Sequence, residues 1–239
     1  CGLTAFIALY GRSGWQHDEF ASSGDLGQKV NDSLDILATE DLTLEGSGLV
    51  PIVELVSSDG FIEKGMRLSD LHKGLGHVRL SIIDLSPAGN QPFHDSEDNI
   101  HAVINGELYD YDRIKAELSG EYDFKSKSDC EIVIALYKHY GESFLSHLRG
   151  EFALVLWDAR RQLFIAARDR YGIKSLYYTV IDGRLVVATE MKCFLSFGWT
   201  PEWNVANIRE KGWLYGHQMY FKGVNRVSDE ISTTSAYHG

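Results

Sequence analysis

Residues 1–10 read CGLTAFIALY, and this stretch decides how the rest of the chain is read. As the first residue, Cys1 carries a thiol and a free α-amine, so one residue supplies both a nucleophile and its base. An α-amino group titrates at roughly 7.7 to 8.0, so near neutral pH it can take a proton from the adjacent thiol and later return it to a leaving group. Thr4 to Tyr10 is apolar nearly throughout and is broken by Gly11-Arg12-Ser13-Gly14, the pattern of a strand buried on both faces. Together these features place a nucleophile at a strand end. A leading cysteine also describes the residue left when an initiator methionine is removed, so support has to come from further along.

The 239 residues carry 34 acidic and 23 basic side chains, a formal charge of -11. That balance disfavours nucleic acid or an anionic membrane as partner, since both call for clustered Lys and Arg. Cys1, Cys130 and Cys193 have no paired spacing, so neither a disulfide framework nor a zinc site is expected. The apolar runs, such as 152–157, are too short to span a bilayer, and no basic leader precedes one. A soluble, cytoplasmic protein with no metal or cofactor is expected.

Working outward, Val30, Leu34 and Leu37 sit at helical spacing. Two strands are expected near 50–56 and 61–68, joined across Ser57-Ser58-Asp59-Gly60. Residues 74–85 read as a strand with Arg79 set in an apolar run; a buried arginine needs a partner, so Arg79 is an ion-pair member or an anion binder. A Pro-Gly turn cluster at 87–92 leads to a strand at 100–104 that runs into Asn105-Gly106-Glu107. Asn-Gly is ordinarily a hairpin signal, but a helical pattern at 111–118 follows instead of a partner strand. Ser128-Asp129-Cys130-Glu131 has the Ser-x-x-Glu form of a capping box, with Ile132, Val133, Leu136, Tyr137 and Tyr140 on one helical face behind it. A meander is expected at 151–157, 163–167, 176–180 and 185–189, then a helix at 191–197. This gives one domain over 1–197 and an irregular tail over 198–239.

Several segments in this order resemble the class II, N-terminal-nucleophile glutamine amidotransferases, and most closely the N-terminal half of glutamine-dependent asparagine synthetases. They are Cys1-Gly2, Arg79-Leu80-Ser81-Ile82-Ile83-Asp84, Asn105-Gly106-Glu107, Ser128-Asp129-Cys130-Glu131, Gly150-Glu151-Phe152-Ala153 and Arg168-Asp169-Arg170-Tyr171-Gly172. The resemblance implies an α+β fold, a four-layer αββα sandwich of two antiparallel sheets. It makes Cys1 the nucleophile, and the Asn105 amide with the Gly106 N–H the oxyanion hole. Arg79 would hold the α-carboxylate of glutamine and Asp129 its α-ammonium, with Ile82, Ile83 and Glu107 completing the substrate site. These residue types suit those tasks: glycine lets backbone approach a substrate, an amide donor stabilises developing charge, and arginine grips a carboxylate with two hydrogen bonds. His77, His94 and His101 are expected to be structural or surface residues, and Cys130 and Cys193 core thiols.

The chain also departs from that family. Ala38-Thr39-Glu40-Asp41 stands where a His-Arg-Gly-Pro-Asp loop is usual, Ser175 replaces the usual proline after Gly-x-Lys, and no Ser-Gly-Gly-x-Asp-Ser pyrophosphate loop occurs. The expected function is glutamine hydrolysis to glutamate and ammonia, with a synthetase domain or subunit as ammonia acceptor. The alternatives are a stand-alone amidohydrolase acting on another amide and a catalytically degenerate binding or regulatory relative.

Overall fold

The computed structural model describes residues 5–10, 50–57, 60–61, 73–79, 83–97, 99–161, 163–181, 184–211 and 219–227. The expected helix at 30–37, Cys1 and the 38–41 segment lie outside these residues.

Three strands explain the sandwich: β6 (Ile100–Leu108), β7 (Gly150–Asp158) and β8 (Leu163–Arg168). Their apolar residues divide with a period of two, as strand side chains must. Ala102, Ile104, Leu154, Leu156 and Ile165 point to one face, where they join Ile132, Leu136 and Phe144. Val103, Ala153, Val155, Trp157 and Phe164 point to the other, against Leu75, Leu176 and Val187. A sheet apolar on both faces has to be covered twice. With β5 (Phe93–His94) the three form a four-stranded antiparallel sheet in the order β5-β6-β7-β8.

The second sheet takes β1 (Ala5–Tyr10), β2 (Val50–Ser57), β3 (Gly60–Phe61), β4 (Lys73–Arg79), β9 (Tyr177–Ile181), β10 (Arg184–Ala188) and β11 (Val224–Arg226). Its order is β11-β9-β10-β1-β4-β2-β3, with every neighbouring pair antiparallel. The terminal strand thus sits inside the sheet, between β10 and β4. Over the smaller sheet lie α1 (Tyr111–Leu118) and α2 (Ile132–Tyr140). The outer face of the larger sheet is closed by a 3-10 helix (Met191–Phe197) that buries Cys193, Phe194 and Phe197 against Val186, Ala188, Met219 and Val224. The layers are therefore those of the expected αββα sandwich.

Four local readings change. β6 continues through Asn105-Gly106 to Leu108 without turning. The strand expected over 74–85 ends at Arg79, and Ile83 and Asp84 lie in the irregular segment beyond it. Ser128 caps as expected, its hydroxyl accepting the Cys130 N–H at 3.3 Å, but Glu131 does not return the bond. Its carboxylate instead accepts the Lys125 and Ser126 N–H groups, both at 2.8 Å, and the Ser126 hydroxyl at 2.6 Å, because the preceding loop brings three donors to it. Finally, the stretch expected to be irregular after residue 197 contains α3 (Val205–Lys211) and β11, which extends the larger sheet along β9. Val224 and Val227 are buried there, so the packed unit reaches past 197. A three-residue strand is too short to show a period.

Candidate active site

Asn105 and Gly106 stand on β6 opposite Ala153 and Phe152 of β7. Gly106 has φ of 156°, which an L side chain rarely adopts, and a Cβ there would stand 1.9 Å from the Glu151 carbonyl oxygen. Two residues on, Leu108 faces Gly150, whose own Cβ would meet the Glu107 carbonyl oxygen at 2.1 Å. A reciprocal pair of glycines thus brings the two backbones into contact around the Glu107–Glu151 pair. No other residue could occupy either position without parting the strands.

The helix start is clamped to this point. Asp129, 2% exposed, accepts the Leu108 N–H through Oδ2 at 2.8 Å, and the Cys130 Sγ lies 3.9 Å from the Gly106 carbonyl oxygen. Among the described residues only the Ser128 hydroxyl, at 3.4 Å, approaches the other carboxylate oxygen of Asp129. That oxygen can still accept a bond from a cation.

Two side chains fix the backbone immediately before Asn105. Gln91 holds Ile104 from both sides, its Nε2 donating to the carbonyl at 3.0 Å and its Oε1 accepting the N–H at 2.6 Å. The same carbonyl oxygen lies 3.3 Å from Nε2 of His77, wholly buried on β4. This contact ties the strand that ends at Arg79 to the strand that carries Asn105. β1 begins opposite Val78, beside Arg79, so the N-terminal strand enters the larger sheet at this end.

The segment after Arg79 is anchored in turn. Asp84, buried, accepts the Ser86 N–H at 2.9 Å, the Ser86 hydroxyl at 2.7 Å and the Lys127 N–H at 2.7 Å. Residues 43 apart in sequence are thereby joined just ahead of Asp129. On the other side of β7, the Asp169 N–H donates to the Phe152 carbonyl at 2.6 Å. The Asp169 carboxylate gathers the N–H groups of Tyr171, Ile173 and Lys174 at 3.0, 3.0 and 2.9 Å. Gly172, with φ of 62°, permits this turn and lies against the Arg168 guanidinium.

Of the residues expected to form the site, Asn105, Gly106, Glu107 and Asp129 are brought together at one end of the smaller sheet. Asn105 is half-buried, Glu107 exposed and Ile83 exposed. The backbone of Arg79 closes β4, whereas its side chain, Ile82 and Cys1 lie outside the described residues. Gln91 was not expected, and nothing in its neighbourhood of turn residues marks an amide that will clamp a strand. Asp84 and Asp169 fell within the quoted segments, but without a role. Glu107 faces Glu151, which accepts the Tyr109 hydroxyl at 3.3 Å, so with Asp129 this end of the sheet is acidic and suited to an ammonium group. The remaining thiols have no such setting: Cys130 and Cys193 are buried, and burial pushes the Cys193 thiol up to about 12. Among the described residues no group of three or more His, Cys, Asp or Glu could hold a metal ion, and no helix is long and apolar enough to cross a membrane.

Comparison with known proteins gives the family of the chain. A family model described as a glutamine amidotransferase domain matches residues 43–229. A protein of Gibberella zeae named amidase chry2 is 54% identical over 228 residues, covering 95% of this chain and 31% of the relative. Asparagine synthetase [glutamine-hydrolyzing] 1 of Bacillus subtilis is 39% identical over 139 residues, covering 58% of this chain and 21% of the relative. The chain therefore spans about a third or less of these curated relatives. Among solved structures, glutamine phosphoribosylpyrophosphate amidotransferase from B. subtilis superposes with a TM-score of 0.59 at 19% identity, over 81% of this chain and 43% of that one. That likeness is one of fold.

Proposed function

The chain belongs to the class II glutamine amidotransferases, as a domain related to that of asparagine synthetases, and from that premise we propose that it hydrolyses the side-chain amide of glutamine to glutamate and ammonia. The observation that carries the reading is the far end of β6: Asn105 and Gly106 follow Ile104, which Gln91 clamps, and lie beside the paired glycines, with the Asp129 carboxylate bonded to the backbone two residues beyond.

In this reading Cys1 sulfur attacks the carboxamide carbon as its proton passes to the α-amine. The carbonyl oxygen becomes an oxyanion, held by the Asn105 amide and the Gly106 N–H. Donors fixed in advance by the strand cost no reorganisation during reaction, and one such donor contributes about 3–4 kcal/mol. As the tetrahedral centre collapses, the C–N bond breaks and the α-ammonium gives its proton to the departing ammonia. A γ-glutamyl thioester remains. Water, deprotonated by the same amine, adds to it through a second oxyanion and releases glutamate and the thiol. Arg79 takes the α-carboxylate, Asp129 takes the α-ammonium with the oxygen that does not bond Leu108, and Ile82, Ile83 and Glu107 border the substrate. The chemistry uses no cofactor. We place the chain in the cytoplasm, where its thiols stay reduced, delivering ammonia to a synthetase domain or subunit.

The test is alkylation by 6-diazo-5-oxo-norleucine followed by intact mass, with ammonia release from glutamine measured in parallel. One adduct, absent in Cys1→Ala, together with glutamine turnover supports the reading; absence of both in protein that begins at Cys1 sinks it. Similarity to a protein named an amidase and the altered 38–41 segment favour a second reading, hydrolysis of a different amide. Turnover of other γ-glutamyl or simple amides with glutamine untouched would select it.

A further inference from the structure

The larger sheet carries a cleft of about 450 Å³ on the layer opposite the smaller sheet. Its walls come from three places: Ser175 and Tyr177 at the start of β9, Thr189 and Glu190 just beyond β10, and Trp199 with Phe221 from the segment that follows the 3-10 helix. None of the residues proposed to bind glutamine lines it. The volume lies in the range of small-molecule sites, which are mostly apolar with a few placed polar groups.

Three features give the cleft a chemistry. The Trp199 ring is set edge-on to Phe194 and Phe221, at centroid distances of 6.0 and 5.6 Å and interplanar angles of 86° and 87°. It is a wall fixed by neighbours on two sides, and with Tyr177 and Phe221 it presents aromatic surface to a planar guest. The Thr189 side chain, 4% exposed, lines the same cleft, and its hydroxyl has no hydrogen-bond partner among the described residues. A buried hydroxyl left unpaired is costly, so a polar atom of a guest is the natural partner. At the rim, Lys192 lies 3.2 Å from Glu190, so the charges there offset one another and favour a neutral guest over an ion.

We propose that this cleft is a second small-molecule site, taking a planar aromatic compound of on the order of a dozen non-hydrogen atoms with one uncharged hydrogen-bonding group. The hydroxyl of Thr189 meets that group, and the aromatic walls cover the ring system. Ser175 adds a further hydroxyl-bearing residue to the wall. The site stands apart from the thioester chemistry and does not depend on it.

The probe is 2-naphthamide, with 2-naphthoate as its anionic counterpart, titrated into 15N-labelled protein while amide shifts at Thr189, Met191 and Leu195 are followed. Expected are saturable shifts at those residues, unchanged by saturating glutamine, with 2-naphthoate binding more weakly. Thr189→Val keeps shape and removes the hydroxyl; it should weaken 2-naphthamide about two- to tenfold, the worth of one hydrogen bond, with its spectrum showing an intact fold. Trp199→Ala should abolish the shifts. No shift at millimolar probe, displacement by glutamine, stronger binding of the anion, or equal affinity in Thr189→Val would each overturn the proposal.

Discussion

Replacing Gly106 by alanine tests both the strand geometry and the oxyanion assignment. The new Cβ would stand 1.9 Å from the Glu151 carbonyl oxygen and 2.7 Å from the Phe152 Cα, where ordinary contact begins at 3.4 Å. The obstructing atoms are backbone, so no rotamer change relieves them; β6 and β7 must part locally by about 1.5 Å. Overpacking of this kind costs about 1–3 kcal/mol, and forcing an L-residue to a φ of 156° adds a comparable penalty. The sum, about 2–6 kcal/mol, is a large part of the 5–15 kcal/mol typical of a folded domain. Urea unfolding at 25 °C should therefore show a midpoint lower by about 1 M or more. A shift of this size also moves the Gly106 N–H off the oxyanion, so the rate of 6-diazo-5-oxo-norleucine adduct formation should fall about 100-fold or more. Gly150→Ala, with the mirror-image contact at 2.1 Å, should destabilise to a similar extent, whereas Gly120→Ala, which meets nothing within 4 Å, should be near neutral. A Gly106→Ala protein with the wild-type midpoint would refute the ladder geometry. One that is destabilised but reacts at full rate would refute the oxyanion role.

Three other outcomes are expected. Asp129→Asn retains an oxygen for the Leu108 N–H but loses the charge that would meet an α-ammonium, so KM for glutamine should rise tenfold or more with little change in kcat, read by ammonia release. Asp95 is buried, which pushes its carboxyl up, but the Asn99 and Ile100 N–H groups and Lys138 outweigh that and hold it below its ordinary value. A depressed folded-state pKa gives stability that is present at neutral pH and lost as pH falls through that value; Asp95→Asn should cost about 1–3 kcal/mol at pH 7, and progressively less as urea titrations are taken below the ordinary carboxylate range. Tyr137 donates to Asp158 Oδ2 at 2.8 Å, and burial together with that bond pushes its phenol up to about 12. A raised folded-state pKa stabilises below the unfolded value near 10, so the deficit of Tyr137→Phe, about 1–3 kcal/mol, should shrink as thermal melts are taken above about pH 10.

The sequence by itself determined the parts of this protein whose cause is local. Alternation along β6, β7 and β8 shows in neighbouring residues, because a strand turns successive side chains to opposite faces, and an apolar residue on both faces already requires layers on both sides. The Ser128 cap was legible because few residue types can cap a helix, whereas Asn105-Gly106 by itself reads as a turn and took a chemical role only from the family resemblance. Only the tertiary structure decided how these parts meet. Asp84 reaches Lys127 across 43 positions, Gln91 clamps Ile104, and Glu131 turns to the 125–126 loop instead of closing its own cap. β11 reaches the larger sheet from beyond residue 197 and pairs with β9. Each of these satisfies a buried polar group or a strand edge with a donor distant in sequence, and such a donor leaves no mark on the residues around it.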